Sequence, residues 1–153
     1  MWVPPEEADP ILLHAPTRKN VALFGAVRPA DGCLVVQPSY PFNTDTFRSF
    51  LKTLLRHHRR GRRMTVILDN AKYHHARALR PWLDQHRDSL CLDYLPAYSP
   101  DLNPQERVWK LTRRLVTHNR YFPQLQELLD TVLNHFAAWA KPNQTLRKLC
   151  AII

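Results

Sequence analysis

Cysteine is scarce in this sequence. Cys33, Cys91 and Cys150 are odd in number and far apart, and no C-x-x-C pair occurs. A disulfide framework is therefore not expected, and the three read as buried or free thiols of a reducing compartment. Long apolar runs are also lacking. None approaches the ~18 residues that a membrane span needs. Residues 1–16 carry Pro, Glu and Asp where a secretory signal would need a basic and then an apolar stretch. No internal repeat and no low-complexity tract is present. A cytoplasmic location with no membrane partner is the expectation. Acid is the scarce charge: 13 Asp and Glu face 22 Lys and Arg, a net charge of +9. That balance favours a polyanionic partner over a merely basic soluble protein, though only modestly. With 153 residues, 44% of them hydrophobic, the chain is long enough for one domain with a real core.

The chemistry concentrates between Met64 and Trp109. Met64 to Leu68 is a short apolar run that ends on Asp69, and it reads as a buried strand. Functional groups in parallel-type sheets lie just past the carboxyl ends of strands, which is where Asp69 and Asn70 fall. Asn103-Pro104-Gln105-Glu106 reads as a helix start, with Asn at the N-cap, Pro at the first position and Glu at the third. Glu106 then projects from the first turn, where the helix dipole favours negative charge. Each acid has a plainer reading: Asp69 opens a turn, and Glu106 closes a capping box.

The surrounding letters decide between these readings. D-N-A-K-Y-H-H from Asp69, followed by L-P-A-Y-S-P-D-L-N-P-Q-E-R-V-W ending on Trp109, resembles the catalytic domain of bacterial insertion-sequence transposases of the mariner-like superfamily. These are DDE enzymes with a ribonuclease H-like fold, and the resemblance runs from about Trp2 to the end. It implies an α/β fold with a mixed sheet flanked by helices. It matches Asp69 to the second catalytic acid and Glu106 to the third, with 36 residues between them. The first acid of the family lies on a strand upstream of a segment like Met1-Trp2-Val3-Pro4-Pro5. That strand, and the helix-turn-helix region before it, are expected to be absent, so that residues 1–153 form a partial catalytic domain. The resemblance further implies DNA transposition by phosphodiester cleavage and strand transfer. It implies two magnesium or manganese ions held by carboxylates, and DNA as partner (transposon ends and target), with a homodimer as a further assembly. An inactive DNA-binding remnant and the downstream half of a frameshifted transposase are the alternatives. A ribonuclease H-like nuclease unrelated to transposition is disfavoured by the L-P-A-Y-S-P string.

The rest of the chain fills in around this stretch. Ile11-Leu12-Leu13 is a candidate short strand. Val21 to Val27 and Cys33 to Gln37 form a hairpin across Ala30-Asp31-Gly32, and the Asp-Gly turn accounts for Asp31 without a metal. Asn43 caps a helix that carries Phe47, Phe50, Leu51, Leu54 and Leu55 at helical spacing. His57 to Arg63 is a basic cluster that either meets phosphates or ends the helix in solvent; Gly61, a helix stop, favours the second. Tyr73 to Gln85 reads as a helix kinked or restarted at Pro81. His74 and His75 lack the further ligands that zinc would need, and are placed near the substrate or at a helix cap. Leu90 to Leu95 reads as a strand beside the Asp69 strand. The helix from Pro104 to about Val116 buries Val108, Leu111 and Leu115. It also carries Arg107, Lys110, Arg113 and Arg114, a basic row suited to a DNA backbone. Leu125 to Trp139 and Gln144 to Ala151 read as the last helices, the second capped by Asn143.

Overall fold

The computed structural model describes residues 20–58, 61–97 and 99–151. The candidate strand at Ile11-Leu12-Leu13, and Asp9 near it, lie outside these residues. Strands β1 (Leu23–Arg28) and β2 (Cys33–Pro38) form the expected antiparallel hairpin, with Phe24 opposite Gln37 and Arg28 opposite Cys33. Its turn is fixed by Asp31, which pairs with Arg28 at 2.6 Å and accepts the Cys33 N–H at 3.2 Å. Gly32 closes it in the left-handed region, φ 74.

The hairpin alternates, and each face meets a different core. Phe24 packs with Phe47, Phe50, Leu51 and Leu54 of α1 (Thr44–Leu55). Leu34, from the other face, packs with Val108, Val116, Val132, Phe136 and Trp139. Helix α1 starts where its residues demand: Asn43 accepts from the N–H groups of Asp45 and Thr46, and the Thr46 hydroxyl completes the box by accepting the Asn43 N–H.

Strand β3 (Met64–Leu68) pairs in parallel with β4 (Leu90–Tyr94), Met64 opposite Leu90 and Leu68 opposite Tyr94. The chain between them differs from the single kinked helix over Tyr73 to Gln85. It makes two 3₁₀ turns, Lys72–His75 and Arg77–Leu79, then the short α2 (Arg80–Gln85). Ala76 is extended and breaks the helical run, and Pro81 sits in the first turn of α2, where its missing N–H costs nothing. Helix α3 (Pro104–Thr112) is also shorter than the sequence reading. It gives way to a π turn over Arg113–Thr117, in which the His118 N–H reaches back to the Arg113 carbonyl, and Asn119 follows in the left-handed region. Helices α4 (Leu125–Ala137) and α5 (Gln144–Leu149) complete the second core, α5 under the Asn143 cap. Cys33 and Cys150 are buried, Cys91 is half-buried, and all three are free. No helix among the described residues is long and apolar enough to cross a membrane.

The two strand pairs do not join among the described residues. A cavity of about 400 Å³ separates them, lined by every residue of β1 and of β3. The inner edges of both pairs have no strand partner among the described residues.

Two tests address this frame. A Cβ at Gly25 would fall 2.5 Å from the Trp109 ring, so Gly25→Ala should cost about 1–3 kcal/mol by overpacking, read as a lower urea midpoint. His135 meets Trp139 edge-on at 4.3 Å with Nε2 buried and without a partner among the described residues, and burial pushes its pKa down. The folded protein then binds fewer protons than the unfolded chain. The contribution is full above about pH 6.5 and is lost as pH falls through the lower folded value. His135→Phe should flatten that part of a stability profile measured against pH.

Candidate active site

Asp69 follows β3 directly and Glu106 lies in the first turn of α3; both line the cavity between β1 and β3. At the N-terminus of α3, Asn103 caps by accepting the Gln105 N–H at 3.0 Å, but the Glu106 carboxylate does not return the bond. Unlike Thr46 in α1, Glu106 is therefore not spent on a capping box, and its carboxylate forms no ion pair or hydrogen bond among the described residues. Asp69 does open a turn, with Oδ1 accepting the Ala71 N–H at 3.1 Å. Its other oxygen has no partner among the described residues, so the turn uses only half of the carboxylate.

His74 lies beneath Asp69. It is buried, with Nδ1 3.0 Å from the Asp69 carbonyl and 3.1 Å from Oδ1. Burial pushes its pKa down against the opposing pull of Asp69, so the contact is a hydrogen bond from a neutral ring. Its rim is aromatic: Phe47 and Tyr73 have centroids 4.3 and 4.5 Å away. Burial likewise raises the Tyr73 phenol, with Asp69 adding to the shift. His75 points elsewhere. It stacks on Tyr94 at 4.3 Å and bonds Asn70 Oδ1, while Asn70 Nδ2 donates to the Leu95 carbonyl at 2.6 Å. Asn70 and His75 thus tie the end of β3 to the end of β4.

The basic residues of α3 are exposed but not equivalent. Arg107 Nη1 donates to the carbonyls of Leu149 and Ala151 at 3.2 Å each, which joins α3 to the C-terminal end of α5. Lys110 has no such tie. Arg113 and Arg114 fall in the π turn, which shifts them out of the straight row that an α-helix would make. Residues 59 and 60, within the His57 to Arg63 cluster, are outside the described residues.

Sequence reasoning missed one polar group of the cavity wall. Gln105 is buried, and neither atom of its carboxamide has a partner among the described residues. Its place on the same helical face as Val108 and Thr112 was the available signal.

Hard carboxylate oxygens, neither of them neutralised by Lys or Arg among the described residues, are the donors that magnesium and manganese prefer. The donor chemistry of Asp69 and Glu106 suits such an ion. No group of three or more Asp, Glu, His or Cys suited to a metal forms among the described residues.

Comparisons with known proteins converge. The chain is 30% identical over 120 residues to the insertion element IS630 uncharacterized 39 kDa protein of Shigella sonnei, covering 78% of this chain and 34% of that protein. It is 33% identical over 121 residues to the uncharacterized protein y4pE/y4sA of Sinorhizobium fredii (strain NBRC 101917 / NGR234), covering 78% of this chain and 82% of that one. The chain therefore spans about a third of the first relative and most of the second. Among solved structures it resembles the catalytic domain of Mos1 mariner transposase, with a TM-score of 0.64, 23% identity, and coverage of 92% of this chain and 71% of that one. It also resembles the Mos1 mariner paired end complex with Mn, with a TM-score of 0.66, 22% identity, and coverage of 98% and 46%. The fold is thus the ribonuclease H-like α/β fold expected from the sequence. Residues 1–129 match the family model described as DDE superfamily endonuclease, and the chain belongs to that family.

Proposed function

We propose that the chain is the catalytic part of a DNA transposase, in which Asp69 and Glu106 hold divalent cations, magnesium or manganese. The observation that carries this reading is that two carboxylates from separate elements line one cavity, Glu106 with no partner and Asp69 with one oxygen free among the described residues. When bound there, such cations supply Lewis-acid stabilisation of the attacking and leaving oxygens of an in-line phosphodiester displacement, first in cleavage and then in strand transfer. Glu106 bears its charge at the amino end of α3, where the helix dipole offsets it. Lys110, Arg113 and Arg114 meet phosphates along the DNA backbone. Arg107 contributes less, because part of its guanidinium is engaged with α5. The partner is DNA, and the protein acts in the cytoplasm, with a homodimer as the assembly that would bring two transposon ends together.

Two carboxylates offer two negative charges against the four positive charges of a pair of divalent ions. The remaining acid is proposed to enter on a strand between β1 and β3. The unpaired inner edges of those strands support this, as does the Gln105 carboxamide, whose donor and acceptor both lack partners at the cavity wall. Asp31 is no substitute, since it is held in the hairpin turn by Arg28.

The test is a magnesium- or manganese-dependent cleavage assay on DNA carrying the ends that flank the coding sequence. Metal-dependent cleavage is expected, and Asp69→Ala or Glu106→Ala should each abolish it. Cleavage that survives both substitutions would overturn the reading.

Binding to DNA of arbitrary sequence gives a separate test. Replacing Lys110, Arg113 and Arg114 with Ala should weaken it and flatten its salt dependence, by roughly 0.9 in log–log slope for each phosphate no longer neutralised. An unchanged slope would show that the DNA backbone is met elsewhere, for example by His57 to Arg63.

A further inference from the structure

We propose that His74 is a positioning residue: its Nδ1–H, bonded to the Asp69 carbonyl, is shared with Oδ1 of the same residue and so fixes which oxygen of that carboxylate faces the cavity. The inference rests on the proposed metal-binding role of Asp69. Both neighbours of Nδ1, the Asp69 carbonyl at 3.0 Å and Oδ1 at 3.1 Å, are acceptors, so Nδ1 must carry the proton. Oδ1 also receives the Ala71 N–H at 3.1 Å. Oδ1 therefore takes the Ala71 N–H and a share of the His74 N–H, and the other oxygen is left for a cation.

The contrast in exposure gives the arrangement its sense. The Asp69 side chain is 66% exposed and that of His74 only 8%. An exposed carboxylate needs no protein partner for its own solvation, since water would serve. The buried ring instead supplies rigidity. His74 is wedged between Phe47 and Tyr73, and its main chain is fixed by its own N–H to the Ala71 carbonyl at 2.9 Å and by the Tyr94 hydroxyl, which donates to its carbonyl at 3.0 Å. The donor cannot move, so the carboxylate turns to meet it. Hydrogen bonds that orient a ligating carboxylate typically account for 10–100-fold in metal affinity.

Two substitutions separate positioning from packing. His74→Phe keeps the aromatic wedge and removes the donor. His74→Asn loses the wedge but places an amide N–H near the position of Nδ1. Manganese alone is the probe, titrated into the full chain and followed by electron paramagnetic resonance, with circular dichroism reporting the fold. The expected result is a loss of at least tenfold in manganese affinity for His74→Phe and recovery of most of it for His74→Asn. A packing role predicts the reverse order. Wild-type affinity in His74→Phe, or an equal loss in both variants, would overturn the inference. Imidazole ¹⁵N shifts of the unsubstituted protein give an independent check that needs no variant to fold. They should show the Nδ1–H tautomer, and the Nε2–H tautomer would overturn the inference. If Asp69→Ala leaves manganese binding unchanged, the metal-binding reading itself fails. That outcome is recognisable because the His74 variants would then be without effect as well.

Discussion

Glu106 reaches the cavity because Trp109 can lie against Gly25. Any side chain at position 25 would meet the indole ring, and Gln105 Nε2 as well, so the approach of α3 to β1 depends on a missing Cβ. Other contacts then hold α3 in place. Val108 is fully buried, Trp109 meets Phe136 edge-on at 5.8 Å, and Arg107 ties the solvent side of the helix to the end of α5. Asn103 and Pro104 start the helix where they do, which fixes Glu106 in its first turn. One close backbone approach thus carries through side-chain packing to the placement of a carboxylate.

Asp69 is placed by different means. Its side chain and that of Asn70 are exposed. Hydrogen bonds hold it instead: Ala71 and His74 act on Asp69 itself, while Asn70 and His75 reach across to Leu95 and Tyr94 at the end of β4. The parallel pairing of β3 and β4 brings those strand ends side by side, so the loop has a partner to bond. The two carboxylates are therefore sensitive to different perturbations. Changes in core volume act on Glu106, and loss of single donors acts on Asp69.

The sequence disclosed what depends on local chemistry. Asn43 and Asn103 announced helix starts, the alternation around Asp31-Gly32 announced the hairpin, and the apolar run before Asp69 announced its strand. It was silent where the outcome depends on contacts remote in the chain. The break at Ala76 replaces a helix by 3₁₀ turns, and those turns bring His74 back beneath Asp69, five positions earlier, at a spacing that no helical or strand period marks. The π turn at Arg113 similarly follows from how Val116 is drawn into the core with Val132 and Phe136, while an ideal helix would have carried the basic row on unchanged. Two histidines in a row gave no hint that one is buried as a donor and the other stacked on a tyrosine.

The gap between β1 and β3 joins the question of stability to that of chemistry. Parallel strands normally lie in sheets covered on both faces, yet Ile67 of β3 is 55% exposed and lines the cavity. Among the described residues, Gln105 leaves a buried donor and acceptor unmatched, and each such group costs about 1–3 kcal/mol. Against a total stability of roughly 5–15 kcal/mol these are large terms. A strand laid into the gap would pair both inner edges, shelter Ile67 and offer backbone groups to Gln105. The same strand would run past Asp69 and Glu106, so any carboxylate at that point along it would fall beside theirs. On the proposed reading, completion of the sheet and completion of the metal site would be one event. A change that opens the gap between β1 and β3 should impair folding and cation binding together, even when it touches neither carboxylate.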